Sequence, residues 1–189
     1  RRADASVRRG AVEDRRHLAD DARLALALSV ADDFGVVSAR LSMRLDPDQA
    51  RPVDAPDFDV TALRERRDVA IDGVAGKSGE RQIDLDLQED PWAGLAVFVS
   101  VMVADGAGKT GATDERRVVL PVRPFYNPLA KAVIEQRQTL AVAAENWPRV
   151  GRSLDALTLA PDRFYESSTD YLLMRAAFWR VMRQNGEDF

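Results

Sequence analysis

The sequence predicts an α+β fold, in which an antiparallel β-sandwich is followed by a small three-helix C-terminal region. Polar and apolar residues alternate with a period of two in segments up to about residue 122, the pattern of strands with one buried face. Beyond residue 125 the period changes to that of amphipathic helices. With 46% hydrophobic and 31% charged residues, the 189-residue chain has the composition of a folded protein that can bury a core.

These patterns divide the chain into three parts. Residues 1–22 show neither a sustained alternation nor an apolar helical stripe, so we expect a poorly structured N-terminal segment. Residues 23–124 are predicted to form the sandwich, and residues 125–189 the helical region.

Two strands are predicted to open the sandwich, separated by a turn at residues 32–35. Apolar residues at alternate positions mark the buried face of each strand. They are Leu24, Leu26, Leu28 and Val30 in the first strand, and Val37, Ala39, Leu41 and Met43 in the second. Three prolines within residues 46–59 predict a long connection, because proline cannot donate a hydrogen bond to a sheet.

Four more strands are predicted at residues 68–72, 83–87, 95–103 and 117–122, with a possible further strand near 60–63. Such spacing, with turns rich in Gly and Asp, is typical of a sandwich of the immunoglobulin or fibronectin type. Helices do not alternate with these strands, so the pattern does not favour a parallel sheet.

Three amphipathic helices are predicted after the strands. Asn127 as N-cap and Pro128 at the first helical position begin the first helix, which should end near residue 146. A short second helix ends before Pro161, and Ser167 with Asp170 has capping-box spacing at the start of the third. Apolar residues recur along the third helix at Leu172, Leu173, Ala176, Trp179 and Met182. We expect these stripes to pack as a small bundle against the sandwich or to bind a partner.

Charge and composition exclude several classes of protein. Lys and Arg number 27 against 31 Asp and Glu, a net charge of −4, and no segment forms the basic patch that nucleic-acid binding requires. The longest apolar stretch, residues 92–104, is shorter than the roughly 20 residues that span a bilayer, so it is interpreted as a core strand. The absence of cysteine excludes disulfides and thiol nucleophiles, and the single histidine, His17, leaves no room for a histidine-rich metal site.

Two tripeptides imitate a phosphate-binding loop, Gly-Lys-Ser at residues 76–78 and Gly-Lys-Thr at 108–110. The motif needs a glycine five positions earlier and a helix immediately afterwards. Ile71 and Val103 occupy those earlier positions, and a predicted strand follows each tripeptide. Both are therefore predicted to be hairpin turns, and no nucleotide is expected.

Three aspartates, Asp32, Asp33 and Asp105, adjoin predicted strands and are the candidate metal ligands. Loops at one end of a sandwich can bring carboxylates together as the oxygen ligands that Ca²⁺ prefers. In the alternative interpretation, each side chain accepts hydrogen bonds from nearby backbone N–H groups in an Asx turn. The spacing matches no dedicated calcium loop such as an EF-hand.

Paired carboxylates at Asp84 with Asp86, and at Glu89 with Asp90, have the residue types that glycoside hydrolysis uses. The same alternation is typical of the solvated face of a strand. No aromatic residues cluster around these pairs, so no catalytic residue is assigned.

Five stretches of the chain carry a resemblance to a known family. They are DDFGV at residues 32–36, PWAGL at 91–95, ADGAG at 104–108, PFYNPLA at 124–130 and LDALTLAP at 154–161. The chain resembles, over about residues 24–183, a proteobacterial family known as domain of unknown function 4175. Members look like large inner-membrane proteins with an N-terminal anchor, an exposed middle region and a low-complexity tail. The resemblance implies a periplasmic piece of a membrane-anchored parent, attached through parts absent from this chain, with no catalytic residue or cofactor to carry over.

Two functions are therefore considered. The first is a non-enzymatic interaction or scaffolding module of the bacterial cell envelope, which binds another envelope protein or a second copy, needs no cofactor, and binds neither nucleic acid nor nucleotide. The second is a carbohydrate-binding or hydrolytic envelope domain that uses Ca²⁺ held by the end-loop aspartates. The first is preferred, because sandwiches commonly bind through strand edges and loop tips.

Overall fold

The computed structural model describes residues 23–50 and 65–185, and the chain divides into two compact units, Arg1–Arg123 and Pro124–Phe189. The first unit holds the strands and the second holds the longer helices. The predicted α+β class is therefore confirmed. The expected N-terminal segment 1–22 and the possible strand near 60–63 lie outside the described residues.

Six strands among the described residues form a sheet in which every pairing is antiparallel. They are β1 (Leu24–Leu45), β2 (Arg67–Ile71), β3 (Gly76–Leu85), β4 (Ala96–Asp105), β5 (Thr110–Ala112) and β6 (Arg116–Val119). Strands β1 and β4 are neighbours; β2 and β3 also pair with β1, whereas β5 and β6 pair with β4. All six strands thus belong to one hydrogen-bonded network.

The first two predicted strands form a single strand, β1, so the turn predicted at residues 32–35 is wrong. The first part of β1 pairs with β3, and the second part pairs with both β2 and β4. The register against β3 shifts between Ala31 and Val36, and Gly35 within this stretch has a φ of 84°. The polar stretch is an irregularity inside the strand, because pairing on either side of it holds the backbone extended.

A bulge at Val37 keeps the apolar side chains of β1 on the buried face. Against β4, Val36 pairs with Asp105 and Ser38 with Ala104, so Val37 has no residue opposite it. The buried leucines before the bulge have even numbers, and the buried apolar residues alternating after it have odd numbers. Val37 is 61% exposed, so its assignment to the buried face is wrong. The extra residue at the bulge shifts the side-chain alternation of β1 by one position. Even-numbered residues before the bulge and odd-numbered residues after it therefore point to the same face of the sheet.

The core of the sheet unit is formed mainly by β1 and β4. Strand β4 is almost entirely apolar, a continuous run that is typical of a strand covered on both faces. The segments after β2, β3 and β6 add further buried residues. The core includes Leu26, Leu41, Met43, Val74, Leu87, Trp92, Val97, Val99, Val101 and Leu120. Burial of each large apolar side chain stabilises the fold by about 1.5–3 kcal/mol.

The two tripeptides that imitate phosphate loops differ in structure. Residues 108–110 join β4 to β5, and Gly108 has a left-handed φ of 79° that suits a hairpin turn. Residues 76–78 instead lie inside β3, so the hairpin predicted there is wrong. Strand β5 is not among the predicted strands, because three residues are too few to establish an alternation.

The helical unit contains four α-helices and a 3₁₀ helix among its described residues, instead of the three predicted helices. They are α2 (Pro128–Val142), the 3₁₀ helix (Ala144–Asn146), α3 (Trp147–Leu157), α4 (Pro161–Phe164) and α5 (Ser168–Asn185), whereas α1 (Pro47–Ala50) belongs to the sheet unit. Helix α2 ends earlier than predicted, because Ala143 has an extended backbone with φ −155°. The predicted N-cap is confirmed, since Asn127 Oδ1 accepts hydrogen bonds from the N–H groups of Leu129 and Ala130 at 2.8 and 3.3 Å.

A small apolar core joins α2, α3 and α5. Val150, Leu154 and Met174 are buried at its centre. Gly151 is also buried, and a Cβ at this position would lie 2.7 Å from Sδ of Met182. Helices α3 and α5 therefore approach closely because residue 151 has no side chain. The partly buried residues packed around this core are Leu129, Val133, Leu140, Leu157, Tyr165, Phe178 and Val181.

Candidate functional site

Asp105 is the one candidate calcium ligand whose side chain the structure describes. Asp32 and Asp33 lie in the irregular part of β1, and their side chains are outside the described part of the chain. The buried Asp105 accepts hydrogen bonds at Oδ1 from the N–H groups of Ala107 at 2.9 Å and Lys109 at 2.7 Å. This is the Asx-turn arrangement of the alternative interpretation. Among the residues searched, which are those described, no group of three or more His, Asp or Glu could hold a metal ion.

Two members of the paired carboxylates beyond β3 stabilise loops. Asp86 Oδ1 accepts the N–H of Gln88 at 3.2 Å, and Asp90 Oδ1 accepts the N–H of Trp92 at 2.8 Å. Asp90 also forms an ion pair with Arg67 at 3.5 Å, and the Arg67 guanidinium lies 5.2 Å from the centre of the Trp92 ring. These two carboxylates therefore fix the backbone between β3 and β4.

Glu115, just before β6, holds two arginines from separate segments. It accepts hydrogen bonds from Arg44 of β1, the shortest at 2.6 Å, and from Arg66 at 2.9 Å. The hydrogen bond from Arg44 is the main cause that lowers the pKa of Glu115, against desolvation, and it also raises the pKa of Arg44. Arg44 lies 4.3 Å over the ring of Phe98 on β4. This group of ion pairs therefore joins β1, β4 and the segments next to β2 and β6.

A second ion pair joins the end of β1 to β6. The Asp46 side chain is only 3% exposed, and its Oδ2 accepts a hydrogen bond from Arg117 Nε at 2.6 Å. Its Oδ1 accepts the N–H of Asp48 in α1 at 3.0 Å. Burial acts to raise the pKa of Asp46, but the hydrogen bonds from Arg117 and Asp48 outweigh it, so the pKa is lowered. The carboxylate stays charged and is used in structural pairing.

An open groove of about 450 Å³ on the helical unit is the candidate functional site. It is bounded by α2, by α5 and by the segment that includes α4. Its lining is mainly apolar and includes Phe125, Leu129, Val133, Ile134, Phe164 and Leu173. Its charged lining residues in the described chain are the acids Glu166 and Asp170, both at the N-terminal end of α5. A groove of this kind fits an apolar segment with basic residues beside it.

Tyr165 lines the groove and also packs on the helical core. Its hydroxyl is buried and has no hydrogen-bond partner among the described residues. Its ring contacts Tyr171 edge to face with 5.5 Å between ring centres. Burial, and to a smaller extent Tyr171, raises the pKa of Tyr165. The tyrosine therefore serves mainly as an apolar wall between groove and core.

Helix α5 has apolar residues on two faces. The face toward the core carries Met174, Phe178 and Val181. Leu172, Leu173 and Trp179 point away and are 64%, 63% and 57% exposed. The stripe noted in the sequence thus lies mostly on the exposed face. Met174, Phe178 and Val181 also have intervals of three and four, but periodicity alone cannot tell which of two apolar faces is buried.

Comparison with known proteins identifies a family. No curated protein matches the chain. In the described residues, no helix combines the length and the apolar character needed to cross a membrane. A family model described as domain of unknown function matches residues 11–188, which takes in both units. The resemblance seen in the sequence motifs is therefore confirmed, and the chain belongs to the family DUF4175, the domain of unknown function of that number.

Proposed function

We propose that the chain is a non-enzymatic interaction or scaffolding module of the bacterial cell envelope, and that its helical unit carries the contact surface. The observation that carries this proposal is the exposure of large apolar side chains on that unit. It has six of the eight such residues in the described chain: Tyr126, Leu159, Phe164, Leu172, Leu173 and Trp179. Exposed apolar residues that share one surface mark interaction sites, as Leu172, Leu173 and Trp179 do on one side of α5, and aromatic ones commonly dominate the binding energy.

The sheet unit contributes no catalytic group in this proposal. Its carboxylates with lowered pKa values, Asp46 and Glu115, are held by arginines that join neighbouring segments. A general acid or base works best with a pKa near the operating pH, and these two pKa values are displaced away from neutrality. In the finer fold proposal, a sandwich of the immunoglobulin or fibronectin type, the single network of six antiparallel strands forms two layers that share the long strand β1, which pairs with β3 in its first part and with β2 and β4 in its second.

The proposed partner is another envelope protein or a second copy of the chain. The acidic end of the groove and the net charge of −4 favour a partner surface that carries basic residues. Neither nucleic acid nor nucleotide is a proposed ligand. The family resemblance supports a periplasmic location, in which the chain is the exposed part of a membrane-anchored parent.

Capture of partners from an envelope extract tests this function, with three forms of the chain compared. The wild type and a control variant, Val37→Asp, which changes an exposed residue of the sheet unit, should retain one stoichiometric partner. The double variant Leu172→Asp/Trp179→Asp should lose it, because charges replace two exposed apolar contacts. The proposal is overturned if no form captures a partner and the chain sediments as a monomer, or if all three capture it equally.

A further inference from the structure

The exposed face of α5 is apolar in its middle part, from Leu172 to Trp179, and polar toward both ends. Residues at intervals of three and four share one side of a helix. Those that share this side and are all exposed are Thr169, Leu172, Leu173, Ala176, Trp179, Arg180 and Arg183, and they are called the α5 face below. An apolar face that is not packed on its own unit is a surface for another chain.

The positions of the α5 face, but not its residue types, are symmetric about Ala176. Leu173 and Trp179 each lie three positions from Ala176, on opposite sides of it, and Leu172 and Arg180 each lie four positions away. In an antiparallel pair crossing at Ala176, the leucines of one copy therefore meet Trp179 and Arg180 of the other, and the same contacts occur twice. A two-fold interface needs this self-complementarity, and a small residue at the crossing lets the helix axes approach.

Apart from Arg175, which pairs with Asp155 of α3, the charges on the described residues of α5 and of the segment just before it are divided between the two ends of the helix. Glu166 and Asp170 lie at its N-terminal end, whereas the exposed Arg180 and Arg183 lie toward its C-terminal end. An antiparallel pair brings each acidic end beside a basic end, and a parallel pair would bring like charges together. Charge complementarity therefore favours a second copy in the antiparallel orientation.

Trp179 is suited to be the anchor of such an interface. It is more than half exposed, yet its ring packs edge to face on Phe178 with 5.1 Å between ring centres. The Arg175 guanidinium lies 5.8 Å from the centre of the same ring. Because these neighbours already restrict the ring, ordering it on binding costs little conformational entropy.

We infer that the α5 face binds the α5 face of a second copy of this chain, antiparallel and centred on Ala176. This inference rests on the proposed function and names its partner and surface. The contact is one helix face on each side, so the interface is small and the dimer is weak and reversible. Arg180 lies beside Asp170 of the second copy, which fixes the orientation of the pair.

The absence of cysteine from the chain makes the geometry directly testable by disulfide cross-linking. Ala176→Cys places the two thiols at the crossing point, where a disulfide needs Cα atoms about 4.4–6.8 Å apart. It should form a covalent dimer under mild oxidation, at a rate at least about tenfold above that of Ala156→Cys, an exposed control position on α3. Thr169→Cys should not link to itself, because antiparallel helices separate the two positions by about 21 Å along the axis.

Sedimentation of the full, cysteine-free chain over a roughly hundredfold range of concentration gives the second measurement. The wild type should shift reversibly from monomer to dimer, and Trp179→Ala should weaken the dimer at least about tenfold. Arg180→Glu should also weaken it, and Arg180→Glu with Asp170→Arg should restore it, since the swapped charges again meet their opposites. Circular dichroism of each variant confirms that α5 is still formed.

The outcomes separate this inference from the function on which it rests. Equal cross-linking of Ala176→Cys and Thr169→Cys overturns the antiparallel arrangement. A wild-type chain that stays monomeric, together with an envelope partner lost in Leu172→Asp/Trp179→Asp, overturns the self-association and leaves the interaction function standing. A monomeric chain that captures no partner overturns both.

Discussion

Asp46 is a buried carboxylate whose charge the sheet unit needs. Replacing it in Asp46→Asn removes the charged acceptor of Arg117 Nε. We expect the free energy of unfolding at pH 7 to fall by about 2 kcal/mol, less than for a fully buried pair because the Arg117 side chain is about half exposed. Urea denaturation measures this change. Asp48→Asn is the matched control, because Asp48 contributes its backbone N–H and not its side chain.

The same residue gives an expected pH dependence. Since folding lowers the pKa of Asp46, its stabilising effect is fully present above the ordinary Asp pKa of about 3.9 and is lost as the pH falls through the lower folded value. The stability curves of wild type and Asp46→Asn should therefore converge as the pH falls from the ordinary Asp pKa through the lower folded value. Parallel curves down to acid pH would show that the charge of Asp46 does not stabilise the fold.

Tyr165 is a residue whose side-chain hydroxyl we expect not to stabilise the fold. In the part of the chain that the structure describes, its buried hydroxyl has no hydrogen-bond partner, so Tyr165→Phe removes a desolvated polar group and no hydrogen bond. We expect the free energy of unfolding to stay unchanged or to rise by up to about 1 kcal/mol in urea denaturation. Tyr126→Phe, at an exposed position, is the control and should leave it unchanged. A clear loss of stability in Tyr165→Phe contradicts this account of the hydroxyl.

At the scale of elements, the crossing of α3 and α5 depends on Gly151. Gly151→Ala gains helix propensity of about 1 kcal/mol but displaces Met182, so its net effect should be small. Gly151→Leu should lower the free energy of unfolding by about 3 kcal/mol, because a large side chain separates the two helices. Unfolding followed by far-ultraviolet circular dichroism measures both variants.

A double variant tests whether displacement of Met182 is what cancels the helix-propensity gain of Gly151→Ala. In a Met182→Ala background the contact at 2.7 Å is gone, so Gly151→Ala should then stabilise the helical unit by close to its full propensity gain. If Gly151→Ala changes the free energy of unfolding equally in both backgrounds, the contact with Met182 does not reduce the stabilisation by alanine.

Elements whose signal is local could be predicted from the sequence. The N-cap at Asn127, the apolar strand β4 and the start of α5 near Ser167 each depend on a few adjacent residues, and the structure has them. The turn predicted at residues 32–35 is wrong because the turn preference of Asp and Gly is a local effect. Pairing with β3 on one side and with β2 and β4 on the other holds β1 extended.

The candidate site is harder to predict from the sequence than the fold is. The apolar residues of α2 and α5 could be identified, but the groove exists because α2, α5 and the short α4 segment meet, and no sequence pattern predicted α4. The choice between the two faces of α5 likewise depends on which face α3 covers. For Asp105, both interpretations followed from the sequence, and the hydrogen bonds of its side chain show the Asx turn.

For the whole molecule, the two units should respond to pH in opposite directions. The lowered pKa values of Asp46 and Glu115 lie in the sheet unit, so that unit loses stability as the pH falls below about 4. Tyr165, whose pKa is raised, lies in the helical unit. The stability that depends on its neutral hydroxyl is fully present below the ordinary tyrosine pKa of about 10, and it is lost as the pH rises through the folded value.

Two spectroscopic signals distinguish the units in one protein. With Trp147 and Trp179 replaced by Phe, the fluorescence of Trp92 reports on the sheet unit, and helical ellipticity reports mainly on the helical unit. In mild urea, acid should change the Trp92 signal first, and alkali above about pH 10 should change the ellipticity first. Coincident transitions at both extremes contradict the assignment of acid and alkali sensitivity to separate units.

Because of the bulge at Val37, the apolar side chains of β1 point to the buried face only if the strand has the correct number of residues as well as the correct residue types. Deletion of Val37 alone removes one apolar residue and leaves the other leucines, valines and methionines of β1 unchanged. Without the bulge, however, the two halves of β1 direct their apolar side chains to opposite sides of the sheet. A conservative exchange at this exposed position should be nearly silent, whereas a one-residue deletion should prevent the sheet from forming.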